Sequence, residues 1–272
     1  MSIVSIHPYG YHFGFFSCCS IKLNDIVTFI NSNQKTPNTV DSFNLFMLYK
    51  KNFNEDITYD FFENYNNTKH NEIKYPINYH HSHQFHDYSN IDYKRIIPLI
   101  EKYFSPSNNI TNKINHLIQK YNIDYENTLA IYYRGTDKSK ETQIASFDEY
   151  YNQINQILNQ NKSINILVQT DTSQFIDYIN NKNLKNIIIV NENHTSYSNK
   201  GIHYEKSTTD NYNEMFNLFS TFLIIAKCKY IICGSGNCSI WMMLYRGNNK
   251  NVIQYLNGKW CNNIGEKKNY IF

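Results

Sequence analysis

Residues 128–138 read TLAIYYRGTDK. An apolar and aromatic run ends abruptly at Arg134, Gly135, Thr136, Asp137 and Lys138, the pattern of a sheet strand that delivers the chain to a polar loop. The rhythm returns in SINILVQT (163–170), KNIIIV (185–190), KYIIC (229–233) and NVIQY (251–255). Helical patterns fill most of the intervals. Ser146 and Glu149 match a capping box, and Phe147, Tyr150, Tyr151, Ile154, Ile157 and Leu158 form the apolar face behind it. A helix after Ser173 turns Phe175, Ile176 and Ile179 to the sheet. A longer one over roughly 212–227 uses Met215, Leu218, Phe219, Phe222, Leu223 and Ala226. Strands alternating with helices predict an α/β fold with a parallel sheet.

Upstream of Thr128 the pattern changes. A short strand, an aromatic turn and a helix bearing Ile21, Ile26, Val27 and Ile30 open the chain. Two further helices are predicted, one with Ile96, Ile97, Ile100 and Tyr103, the next started by Pro106 and Ser107 with Ile110, Ile114, Leu117, Ile118 and Tyr121 on one face. Residues 33–90, rich in Asn, Tyr and His, give no clear pattern. The predicted division is an N-terminal domain over 1–115, partly irregular, and a C-terminal domain over 116–272.

The 272 residues are 41% hydrophobic and 18% charged, a globular balance, and the net charge of +3 is scattered along the chain. No basic stripe points to nucleic acid; a small phosphate-bearing ligand fits better. No window approaches the roughly 18 apolar residues of a membrane span, and the start lacks a signal-peptide pattern, so a cytoplasmic chain is expected. The six cysteines lack zinc-site spacing and read as mostly buried free thiols. The histidines at 80, 81, 83 and 86 read as an exposed polar loop rather than a metal site.

Ligands of parallel sheets bind where strands end and helix N-termini present free N–H groups. Arg134 would project into that crevice with Asp137 orienting it, its fork suited to a diphosphate, although a structural ion pair would use the same two residues. In VQTDTS, Thr170, Asp171 or Thr172 caps the next helix or touches a ligand. In CGSGNCS, Gly234 and Gly236 let backbone N–H groups approach an anion, while Ser235, Asn237 and Ser239 are placed to cap the following helix. Near the N-terminus, His12 and Gly14 face the same cleft if their turn ends a strand; a buried aromatic turn would look alike. No Asp-x-Asp pair occurs in the chain, so a diphosphate would be neutralised by Arg, Lys and helix ends.

IYYRGTDK, FDEYY, ILVQTDTSQF and LIIAKCKYIICGSGNCSIWM, in that order, resemble the donor-binding domain of the α-1,6-fucosyltransferase and protein O-fucosyltransferase superfamily. The resemblance covers roughly residues 129–245. It implies a GT-B-like architecture, two Rossmann-like domains facing across a cleft, with a GDP-sugar in the C-terminal one and the acceptor approaching from the N-terminal one. It implies an inverting transferase that needs neither metal nor cofactor, moving a sugar from a nucleotide-sugar donor, GDP-fucose favoured, to a hydroxyl on a glycan or protein. Arg134 takes the place of the arginine that holds the β-phosphate. Lys138 matches a lysine beside the reacting centre, and Glu141 lies one residue short of the family's carboxylate base. Asp137 completes the catalytic group. Tyr132, Gly135, Thr170, Asp171, Gly234, Ser235, Gly236, Asn237, Ser239, His12 and Gly14 fall to donor binding.

Two positions depart from the family. Tyr132 stands where relatives carry a histidine, and Thr221 aligns with an aspartate that reads guanine, a role left for Asp210 or Glu214. A transferase for another nucleotide sugar, and a non-catalytic nucleotide- or glycan-binding module, are the competing readings.

Overall fold

The computed structural model describes residues 2–6, 13–67 and 72–265. The N-terminal half begins with β1 (Ile3–Ser5), α1 (Phe15–Asn33) and β2 (Thr39–Asp41), and β1 and β2 pair in parallel. The chain continues through α2 (Thr58–Phe61), α3 (Tyr93–Tyr103) and α4 (Asn108–Tyr121). β1, α1 and β2 form a βαβ unit, and the described residues between β2 and α3 include short turns of helix.

The C-terminal half runs β3 (Thr128–Tyr133), α5 (Phe147–Gln160), β4 (Asn165–Thr170), α6 (Ser173–Asn180), β5 (Ile187–Ile189), α7 (Thr208–Lys227), β6 (Tyr230–Gly234), α8 (Asn237–Arg246), β7 (Val252–Leu256) and β8 (Lys259–Asn262). The sheet order is β5-β4-β3-β6-β7-β8, with every pair parallel except β7 with β8. The first strand thus lies inside the sheet and the order reverses between β3 and β6. In an open α/β sheet that reversal leaves a crevice at the strands' C-terminal ends, the usual place for a ligand.

Alternation along β3 divides the core into two layers. Leu129, Ile131 and Tyr133 pack with α5 and α6 residues such as Tyr150, Ile154 and Phe175. Ala130 and Tyr132 join the opposite layer, a cluster that runs from Val4 to Val252 and includes α1, α3, α4, α7 and α8. The N-terminal half therefore shares one hydrophobic layer with the sheet. Phe15 shows how closely: its ring lies 4.7 Å from Phe46, 4.8 Å from Phe61 and 5.9 Å from Phe219 on α7.

Most helices start as their sequences predict. Ser107 accepts from the Ile110 N–H, and Ser146 and Glu149 form the expected capping box, whereas α7 opens at Thr208, ahead of the expected 212, with Ser207 accepting from the Asp210 N–H. Other expectations are corrected. Thr172 is the residue before α6, yet its hydroxyl donates to Asp171 at 2.8 Å and no side chain caps that helix. Nor do Ser235, Asn237 or Ser239 cap α8, which opens at Gly236. The histidine segment is a short turn of helix over His81–Phe85, capped by His80 accepting from the Ser82 N–H, with part of its surface covered. The six cysteines are free, five of them buried.

Candidate functional site

The crevice at the strand reversal opens into a cleft of roughly 820 Å³ including its mouth. Both halves line it. Gly14, Phe15, Phe16, Ser17 and Tyr49 come from one side, and Tyr132, Arg134, Gln169, Asp171, Asn237 and Cys238 from the other. A narrower recess adjoins it along Tyr132, Arg134, Asn237 and Cys238 and is walled by Lys138, Gly234, Ser235, Gly236 and Ser239.

Arg134 follows the last residue of β3 and is about a quarter exposed. Its Nη2 donates to Asp137 Oδ1 at 2.9 Å, its Nε lies 3.7 Å from Asp171 Oδ2, and Nη1 donates to Cys238 Sγ at 3.5 Å. The Nε makes no hydrogen bond within the protein. Burial works against the guanidinium charge, but Cys238, Tyr132, Asp137 and Asp171 more than offset it and hold the group protonated. Burial likewise raises the Asp137 carboxyl, and the Arg134 charge overcomes it, leaving that acid below its ordinary range. Asp171 reaches back across the strand ends, accepting from the Gly135 N–H at 3.0 Å and the Thr136 hydroxyl at 2.8 Å. The loop after β3 is thereby pinned to the end of β4.

Two helix N-termini meet Arg134 in the cleft. The first helical hydrogen bond of α8 is donated by Ile240 to Gly236, so the N–H groups of Asn237, Cys238 and Ser239 lie ahead of it. In α1 the first is donated by Cys18 to Gly14, and the Phe15 N–H goes to the Tyr49 hydroxyl at 2.9 Å. Neither helix has a side-chain cap. Each N-terminus carries about half a positive charge, so two helix ends and the Arg134 guanidinium, itself flanked by Asp137 and Asp171, face one space. Asn237 links the two helices directly, donating to Ser17 Oγ at 2.9 Å and accepting from Ser20 Oγ at 2.8 Å.

Lys138 is buried in the recess. Its Nζ pairs with Glu141 Oε2 at 2.5 Å and lies 4.9 Å above the Phe85 ring. Gly236 makes this possible: its φ is +152°, and a Cβ there would stand 2.8 Å from Lys138 Cε. Glu141 lines neither cavity and its side chain is about half exposed.

The remaining predicted residues have structural partners. Ser235 donates to the Tyr255 carbonyl at 2.7 Å and accepts from Gln254 at 2.9 Å. Ser239 is buried, and Thr170 is buried with its hydroxyl accepting from the Thr172 N–H. Asp210 accepts from Ser207 at the start of α7 and does not line the cleft, whereas Glu214 lines it while paired with Lys206. His12 lies outside the described residues.

Sequence reasoning missed Gln169, Asn193, His194, Asn211 and His203, all of which line the cleft. Burial, and then the nearby Arg134 charge, push the His203 imidazole down to about 4, so it is neutral at pH 7. Gln169 did leave a signal, being an amide that directly follows the apolar run of Ile166, Leu167 and Val168 and is buried within the strand.

No protein-family model matches the chain, and no curated protein matches its sequence. Among solved structures it is similar to the NodZ α-1,6-fucosyltransferase soaked with GDP-fucose, at 11% identity over 63% of this chain and 54% of that one, with a TM-score of 0.42. It is also similar to the fucosyltransferase NodZ from Bradyrhizobium, at 13% identity over 61% and 51% with a TM-score of 0.39. The NodZ enzyme co-crystallised with GDP gives 12% identity over 61% and 51%, with a TM-score of 0.38. The match spans about half the length of those proteins.

Among the described residues, no helix is long and apolar enough to cross a membrane, and no group of three or more His, Cys, Asp or Glu is arranged to hold a metal ion.

Proposed function

We propose that the chain is a cytoplasmic glycosyltransferase of the inverting type, transferring a sugar from a GDP-sugar, GDP-fucose favoured, to a hydroxyl of a glycan or protein. The observation that supports this most is the convergence of Arg134 with the uncapped N-termini of α1 and α8 on one cleft at the strand reversal. A diphosphate can accept from the free N–H groups of two helix ends and from the Arg134 fork, donors that a ligand without anionic oxygens would use less fully. Residues 116–272 form the donor domain and residues 1–115 the acceptor side, with the N-terminus of α1 reaching across to the donor's diphosphate.

In the reaction, the acceptor oxygen attacks the anomeric carbon while the bond from that carbon to the β-phosphate oxygen breaks. The acceptor proton passes to Glu141, and the nucleoside diphosphate leaves with the electron pair. Lys138, hydrogen-bonded to Glu141, orients that carboxylate. Charge building on the β-phosphate is met by Arg134 and by the N–H groups after Gly236, so the chemistry needs neither metal nor cofactor.

Incubation with GDP-fucose and a hydroxyl acceptor, with a chelator in a parallel arm, tests the reading through released GDP. Release in both arms is expected. A chain whose melting temperature rises with GDP but which cleaves no nucleotide sugar is a binding module, and release from UDP-sugars alone replaces the donor.

A further inference from the structure

Deep in the cleft, Asn193 is buried, yet its Oδ1 has no hydrogen-bond partner in the protein. A one-way chain of hydrogen bonds fixes the amide's orientation. Gln169 Nε2 donates to the Thr170 carbonyl at 3.1 Å, so Gln169 Oε1 is left to accept from Asn193 Nδ2 at 2.6 Å. Asn193 Nδ2 also donates to Thr221 Oγ1 at 3.2 Å, and Thr221 spends its own proton on the Asn217 carbonyl at 2.8 Å. Turning either amide over would set oxygen against oxygen, so both of Asn193's N–H groups are used and its oxygen is the surplus acceptor.

We propose that Asn193 and Gln169 are the specificity-determining pair for the donor's base and select guanine; this rests on the nucleotide-sugar reading above. Both line the cleft, together with Ile202, Met215 and Leu218, whose apolar side chains suit the faces of a flat ring. The pair offers two neighbouring acceptors, Asn193 Oδ1 and the second lone pair of Gln169 Oε1. Guanine presents two neighbouring donors, N1–H and the 2-amino group. Uracil has one N–H flanked by carbonyl oxygens, while adenine and cytosine set an acceptor beside the amino group, so each brings an acceptor against one of the two oxygens. Thr221, which stands where a base-reading carboxylate was expected, acts one step back by holding Asn193.

Titration calorimetry of the full chain with GDP, IDP, UDP and ADP tests this. IDP differs from GDP only by the missing 2-amino group. The wild type should bind GDP roughly tenfold more tightly than IDP, and more tightly still than UDP or ADP. Asn193→Ala should shrink the GDP-to-IDP ratio to about threefold or less while the diphosphate still binds. If Asn193→Ala fails to fold, the four ligands on the wild type decide alone. Equal binding of GDP and UDP overturns the base-reading pair and leaves the nucleotide reading standing; binding of none of the four removes both.

Discussion

Arg134 and Lys22 are both basic groups taken largely out of water, one at the cleft and one in the core, and their surroundings differ. Arg134 has two carboxylates beside it, opens on a cleft and is held charged. Lys22, on α1, is 1% exposed and lies 5.4 Å from the Phe104 ring and 5.9 Å from Phe62, and burial lowers its pKa to about 8. Burial of charge does not by itself mark a site. What marks one is a cation kept charged by built-in partners and facing empty space.

The contrast can be broken experimentally at either end. On the glycosyltransferase reading proposed above, Arg134→Ala should lower kcat/KM for sugar transfer by roughly 10²–10³-fold, the usual loss when one preorganised donor to the developing charge is removed. Arg134→Lys should recover only part of it, since the ammonium lacks the fork. Undiminished turnover in the alanine variant would remove Arg134 from the chemistry.

Lys22→Met should do the opposite and stabilise the protein, by about 2–3 kcal/mol at pH 7 in urea unfolding. With the folded pKa near 8 and the ordinary value at 10.5, the unfolded chain holds more protons between those limits. Lys22's own contribution to stability therefore rises as pH climbs from about 8 to about 10.5, against the opposite slope of the buried cysteines and tyrosines whose pKa values burial raises, and its penalty is fully present below 8. The methionine variant should lose that slope.

Gly236→Ala sharpens the comparison at the recess. It combines an unfavourable φ with a clash against Lys138, so a loss of about 1–3 kcal/mol is expected in thermal melts, with reduced turnover as Lys138 is displaced from Glu141. Ser146→Ala, at a residue that lines neither the cleft nor the recess, serves as the control. It should cost about 1 kcal/mol through the lost cap and leave the kinetics unchanged.

Legibility in the sequence followed the source of each element's order. β3, β4, β6 and β7 are apolar runs buried on both faces, so hydrophobicity alone reveals them. The edge strand β8 has no such run and was missed, although Asn257 and Gly258, both at positive φ, form the two-residue hairpin that leads into it. Residues 33–67 take their shape from distant partners: Tyr65 accepts from the Val40 N–H, and Phe61 stacks on Phe216. Local pattern cannot carry that information.

The site divided along the same line. Arg134 and Gly236 were legible because strand ends and tight turns are local events. Asn193 and His203 sit in an irregular segment and enter the cleft only because α7 and β4 lie beside it.

The ring packing around Phe15 has a kinetic side. The first turn of α1 forms one wall of the cleft, and the aromatic layer that fixes it is continuous with the sheet that forms the other. Parting the walls would mean shearing that layer, so the gap between them is set during folding, and the entropy of ordering it is lost then rather than at binding. A ligand in the cleft would meet walls already packed in place, and its dwell time would report chiefly the contacts inside.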